Sequence, residues 1–174
     1  MSARHVALLR GINVGGANTL PMADLRATAE TLGWQEPRTH IASGNLVFSA
    51  TGTPKALATD LAKALHRRHG LDIALLVQTA AQFQATLAAC PFAPEDARHA
   101  HVFWLLGPPR LDQPLCDSLR AESETLTLGH SAAYLDAPEG IGRSRLAARM
   151  ERVLGTRLTG RNLRTARAIS ALLD

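Results

Sequence analysis

Residues 38–70 read RTHIASGNLVFSATGTPKALATDLAKALHRRHG, and the fold turns on how they are parsed. Arg38 to Ile41 and Leu46 to Ser49 are short strand-like runs. Ser43-Gly44-Asn45 between them is turn chemistry, because Gly and Asn accept backbone conformations that other residues resist. Thr53 then suits an N-cap, with Pro54 at the first helical position. Leu57, Leu61 and Leu65 recur at helical spacing and mark a buried stripe. Arg67, Arg68 and His69 sit where the helix macrodipole favours cations, and Gly70 is a stop. The stretch predicts strand, turn, strand, helix.

Working outward, His5 to Ile12 is an apolar run that predicts a strand. A Gly/Asn loop follows, Asn13-Val14-Gly15-Gly16-Ala17-Asn18. A helix is expected from about Pro21 to Leu32, with Met22, Leu25, Ala29 and Leu32 on one face and Gly33 as its stop. Beyond the central helix, Asp72 to Gln78 reads as a further strand. The resulting order, β-α-β-β-α-β, is the split βαβ arrangement.

The order then repeats. A connecting helix runs from Ala80 to about Cys90, with Thr79 and Gln82 at capping-box spacing and Pro91 and Pro94 as punctuation. His101 to Leu106 is a strand and Gln113 to Ala121 a helix with Leu115 and Leu119 on one side. Thr125 to Leu128 and Ala132 to Leu135 form a hairpin around Gly129-His130-Ser131. Ser144 suits the cap of a helix burying Leu146, Met150, Val153 and Leu154, stopped by Gly155. Thr156 to Thr159 reads as the last strand. A final helix follows, capped by Asn162 and anchored by Ile169 and Leu172. The expectation is an α+β chain of two tandem ferredoxin-like (split βαβ) units with antiparallel sheets. The first spans residues 1–79, a connecting helix and linker span 80–98, and the second spans 99–174 with an extra C-terminal helix.

Composition fits a folded chain. Apolar residues make up 46% of 174 residues and charged residues 20%, which excludes a disordered polyelectrolyte. No apolar run approaches the ~18 residues of a membrane helix, and the N-terminus reads as a strand rather than a secretion signal. Cys90 and Cys116 are too few for a disulfide framework, so a reducing, cytoplasmic location is expected. The net charge of +4 is uneven. From Arg143 onward, eight arginines face only Glu151 and Asp174, leaving that segment at +6 and the rest at −2. Such a basic half attracts phosphate, nucleic acid or an acidic partner. The plainer reading is the compositional drift of a GC-rich genome, since arginine dominates the basic residues and alanine is abundant.

Three strings resemble one bacterial family. They are Leu8-Leu9-Arg10-Gly11-Ile12-Asn13-Val14-Gly15-Gly16 followed by Met22 and Leu25, then Arg38-Thr39 with Ser43-Gly44-Asn45, and Arg161-Asn162 with Thr165. Together they resemble the domain-of-unknown-function family numbered sixteen-ninety-seven over nearly the whole chain. The departures are His40-Ile41-Ala42 before the Ser-Gly-Asn turn, where a polar residue is usual, and Leu163, where an aromatic is expected. The resemblance implies a duplicated ferredoxin-like fold and a set of signature positions, with no activity and no catalytic residues attached.

The same positions are the candidate ligand contacts: Arg10, Asn13, Gly15, Gly16, Asn18, Arg38, Ser43, Asn45, Arg161, Asn162 and Thr165. A glycine-rich loop before a helix N-terminus presents backbone N–H groups to an anion, and arginine adds bidentate contacts. The loop lacks the Lys-Ser/Thr of a P-loop and the G-x-G-x-x-G spacing. Against the anion reading stand positive φ at the glycines and Asn side chains spent on backbone. Element order leaves open whether the Ser43 turn and the Gly15 loop share one end of the sheet. No cofactor is expected. The pairs His99/His101 and His66/His69 lack further ligands, so no metal is expected either. No thiol nucleophile, G-x-S-x-G string or carboxylate pair selects a reaction. The expected function is binding of a small anionic or phosphorylated ligand. The alternatives are nucleic-acid binding through the sheet faces and the Arg143–Arg167 stripe, or an enzyme of unknown reaction on an anionic substrate. Oligomeric state is left undetermined.

Overall fold

Strand β1 (Ala3–Leu9) has the apolar run of a central strand, and both its faces are buried, Ala7 and Leu9 on one side and Val6 and Leu8 on the other. The computed structural model describes all 174 residues, which divide into two compact units. The first is Met1–Ala85 with Ala168–Asp174, and the second is Thr86–Arg167.

In the first unit β1 is followed by α1 (Met22–Thr31), β2 (Gln35–Thr39), β3 (Asn45–Ala50), α2 (Pro54–His69) and β4 (Leu75–Thr79). The sheet order is β2-β3-β1-β4 with every pairing antiparallel. Because β1 and β2 both run against β3, they run parallel to each other, as a crossover through α1 requires. The helices lay Leu25, Ala29, Leu57, Leu61 and Leu65 on Ala7, Leu9, Leu46, Phe48 and Val77. Each fully buried leucine contributes about 2 kcal/mol. Trp34 stacks on Phe48 at 4.0 Å between centroids.

The second unit repeats this topology. Helix α3 (Ala80–Ala88) leads to β5 (Ala100–Leu105), α4 (Gln113–Leu119), β6 (Thr125–Leu128) and β7 (Ala132–Asp136). Then come a 3-10 turn (Ile141–Arg143), α5 (Arg145–Ala148), α6 (Met150–Leu154), β8 (Leu158–Asn162) and α7 (Leu163–Ala171). The order β6-β7-β5-β8 matches that of the first sheet strand for strand. Its core joins Phe103, Ala133 and Leu135 to Cys116, Leu146, Met150 and Val153.

The local signals act as read. The Thr53 hydroxyl accepts from the Ala56 N–H at 3.2 Å, and Gly70 closes α2 at φ 66°. Thr79 and Gln82 form a reciprocal capping box, at 3.0 and 3.1 Å. Strand limits moved where pairing overrides composition. β2 covers Gln35–Thr39 instead of 38–41, because Ile41 takes φ 49° and leaves the ladder. Pro37 is tolerated there because β2 is an edge strand with a register shift between Gln35 and Arg38. β8 covers Leu158–Asn162 rather than 156–159, since Arg161 pairs with Val102 and Asn162 with His101. The helix expected after Ser144 is broken at Arg149, whose φ of −121° separates α5 from α6.

Candidate functional site

The loop between β1 and α1 is built from left-handed residues. Gly11, Asn13, Gly15, Gly16 and Asn18 all have φ between 49° and 77°. Gly15 and Gly16 occupy a two-residue turn whose flanks, Val14 and Ala17, are bridged, which is the mirror-image geometry that glycine accepts without steric cost. The Asn13 N–H donates to the Asn18 carbonyl at 3.2 Å, and the Asn18 amide donates to the Gly11 carbonyl at 3.2 Å.

Asn13 holds this loop to the rest of the unit. Its Oδ1 accepts from the Leu20 N–H at 2.8 Å, and its Nδ2 donates at 2.8 Å to the carbonyls of Leu20 and of Ala42. The last bond crosses to the β2–β3 turn. A second tie runs from the Leu9 N–H to the Gly44 carbonyl at 2.9 Å. The Gly15 loop and the Ser43 turn therefore share one end of the first sheet, the point that element order left open.

Gly44 permits this approach. A Cβ there would lie 2.7 Å from Leu9 Cβ and 2.8 Å from Ile12 Cδ1, and its φ is +87°. Asn45, 1% exposed, donates to the His40 carbonyl and to Ser43 Oγ, both at 2.9 Å. Asn13, Asn18 and Asn45 thus spend side-chain hydrogen bonds on their own backbone. Arg10 is half-buried with a partner inside the protein, and its N–H donates to the Ala74 carbonyl at 2.9 Å. Arg38 is exposed on β2, opposite Val47. Its neighbour Thr39 accepts from Arg26 Nη1 at 2.6 Å, a contact with no local sequence signal.

Gly15 and Gly16 are exposed residues, and neither N–H donates within the chain. Helix α1 opens at Pro21 without a side-chain cap, and Asp24 is the acid in its first turn. Residues 10–20 and 38–45 contain no acid.

Arg161, Asn162 and Thr165 belong to the second unit. Asn162 Oδ1 accepts from the Thr165 N–H at 2.8 Å, an N-cap for α7. Arg161 is 8% exposed, and its Nη1 donates to Thr159 Oγ1 at 2.7 Å and to the Gly160 carbonyl at 2.8 Å. Burial lowers its pKa to about 10. Arg161 therefore lies inside the sheet and not in a loop ahead of the helix, because β8 pairs it with Val102 and continues to Asn162.

Sequence reading weighed His101 only as half of a metal-ligand pair with His99. The His101 Nδ1 is buried without a hydrogen-bond partner, the ring stacks on Phe103 at 6.2 Å, and burial lowers its pKa to about 4. Sequence reading did not single out Tyr134, whose hydroxyl donates to the Thr86 carbonyl at 2.6 Å in a buried setting. Burial raises the pKa of both thiols, Cys90 and Cys116, away from the reactive thiolate. No helix is long and apolar enough to cross a membrane.

The chain resembles a solved structure along its full length. That structure, described as the structure of conserved bacterial protein SP0830 from Streptococcus pneumoniae, shares 24% identity, with 100% of each chain covered and a TM-score of 0.80. At that identity the likeness concerns the fold. No curated protein matches the sequence. The family model described as "Protein of unknown function (DUF1697)" matches residues 2–134, which take in the glycine loop and the Ser43 turn, and the chain belongs to that family.

Proposed function

We propose that this protein binds a small anionic or phosphorylated ligand at the end of the first sheet where the Gly15 loop meets the Ser43 turn. One observation carries the reading. Two acid-free segments, 10–20 and 38–45, are tied together by Asn13, while Gly15 and Gly16 are exposed and their N–H groups donate to nothing within the chain. Successive N–H groups in left-handed backbone form a concavity suited to an anion. Arg38 supplies an exposed guanidinium two residues along the ladder from that end. Asn13, Asn18 and Asn45 act by holding the concavity in shape. Arg10 braces its base.

The reading is for binding; nothing in this cluster stands out as a general base. Recognition of RNA through the sheet faces has less support, because Phe48, Phe103 and Trp104, which would stack on bases, are buried. A cytoplasmic location belongs to the same reading, with both cysteines unpaired.

A thermal-shift series with inorganic phosphate, nucleotides, sugar phosphates and coenzymes tests it. Ligand at about 100 times its Kd adds roughly 2.7 kcal/mol of stability, enough for a clear rise in Tm. Arg38→Ala and Gly16→Val are expected to erase the response. A flat series, or a response untouched by both variants, rejects the site.

A further inference from the structure

Between Gly140 and Gly160 the chain holds five arginines, Arg143, Arg145, Arg149, Arg152 and Arg157, and a single acid, Glu151. All five are exposed. None takes part in an ion pair, and none of their side chains donates a hydrogen bond within the protein. Glu151 offsets one of the five charges, and its Oε1 accepts from the Leu158 N–H at 3.2 Å. Arg145, Arg149 and Arg152 follow i, i+4, i+7 spacing along α5 and α6, while Leu146, Met150 and Val153 on the other side are buried. The three lie within eight residues of sequence, Arg145 in α5, Arg152 in α6 and Arg149 at the break between the two helices. Beside them runs an open groove of about 500 Å³, lined by Ala147, Ala148, Met150 and Leu158, with Arg149, Glu151 and Arg152 on its wall.

Unpaired like charges this close repel, and they contribute nothing to the fold that hosts them. We infer that this face of the second unit binds the phosphate backbone of a nucleic acid. The site is separate from the one proposed above and does not rest on it. Three features choose this partner. Guanidinium forks match phosphate bidentately, where ammonium groups would act as point charges. The segment exposes no large apolar side chain (those that are exposed, Met1, Val14, Ile41, Leu111 and Leu128, lie elsewhere), so nothing is present to enter a bilayer. It also exposes no aromatic anchor of the kind that dominates protein interfaces. The same lack of aromatics removes base stacking, so binding is independent of sequence and governed by counterion release.

Fluorescence anisotropy with a labelled random-sequence 30-base-pair duplex tests the inference. Five phosphate contacts give a slope of log K against log salt near −4.5, or roughly a 500-fold loss of affinity between 50 and 200 mM salt. Arg149→Gln with Arg152→Gln is expected to flatten the slope by about 2. Arg145→Gln with Arg157→Gln should do the same and serves as an independent check on folding, while Arg38→Ala should leave the slope unchanged. The inference fails if the duplex does not bind at 50 mM salt, or if both double variants keep the wild-type slope. It fails equally if vesicles containing phosphatidylserine capture the protein and the duplex does not.

Discussion

The side-chain amide of Asn13 donates to the backbone carbonyl of Ala42 at 2.8 Å, joining the β1–α1 loop to the β2–β3 turn across 29 positions of sequence. The same side chain closes its own loop through a reciprocal pair with the Leu20 backbone. Three hydrogen bonds from one residue set the shape of the candidate site.

Removing that amide should loosen both segments together. Asn13→Ala forfeits all three bonds and keeps a left-handed φ of 54° without asparagine's tolerance for it. A loss of about 2–3 kcal/mol is expected by denaturant unfolding. Hydrogen exchange should quicken at Leu20 and across residues 42–45. Unchanged exchange in the turn would show that the link to Ala42 carries no weight.

Gly44 and Gly16 should respond differently to the same substitution. Gly44→Ala drives a methyl into Leu9 and Ile12, and overpacking with a left-handed φ should cost about 3 kcal/mol or more. A Cβ at Gly16 meets nothing within 4 Å, so Gly16→Ala carries only the conformational penalty of about 1–2 kcal/mol. Equal destabilisation by the two would mean that the close approach at Gly44 is relieved at no cost.

His101 should make stability fall in mild acid. Burial holds its folded-state pKa at about 4, below the ordinary 6.5. As pH drops below 6.5 the unfolded chain takes up a proton that the folded protein refuses until about pH 4. Stability is therefore complete above 6.5, declines through that window by at most about 3 kcal/mol, and levels off below it. His101→Gln cannot titrate, so its deficit against wild type should shrink between pH 7 and pH 4. Parallel pH profiles for the two proteins would refute the assignment.

Tyr134→Phe should cost about 1–2 kcal/mol, because it leaves the Thr86 carbonyl buried without its donor at 2.6 Å. Urea midpoints measure this, and an unshifted midpoint would mean that the carbonyl finds another partner.

Element order, the repeat of the split βαβ unit and most helix ends are legible in the residues alone. Those features are local. Thr53 caps the residue three positions on, Gly70 needs only its own φ, and the leucines of α2 reveal their face by spacing alone. Tertiary structure decided the rest, because it depends on partners far apart in the chain. Arg161 reads as a loop donor until β8 pairs it with Val102 and buries it. Asn13 and Asn45 read as free donors until the fold brings them the carbonyls of Ala42 and His40. Leu146, Met150 and Val153 show their buried face by spacing alone, but that Arg145, Arg149 and Arg152 stay exposed without an ion pair is seen only in the folded chain. A backbone hydrogen bond or an ion pair is a property of two segments, and only the folded chain supplies the second.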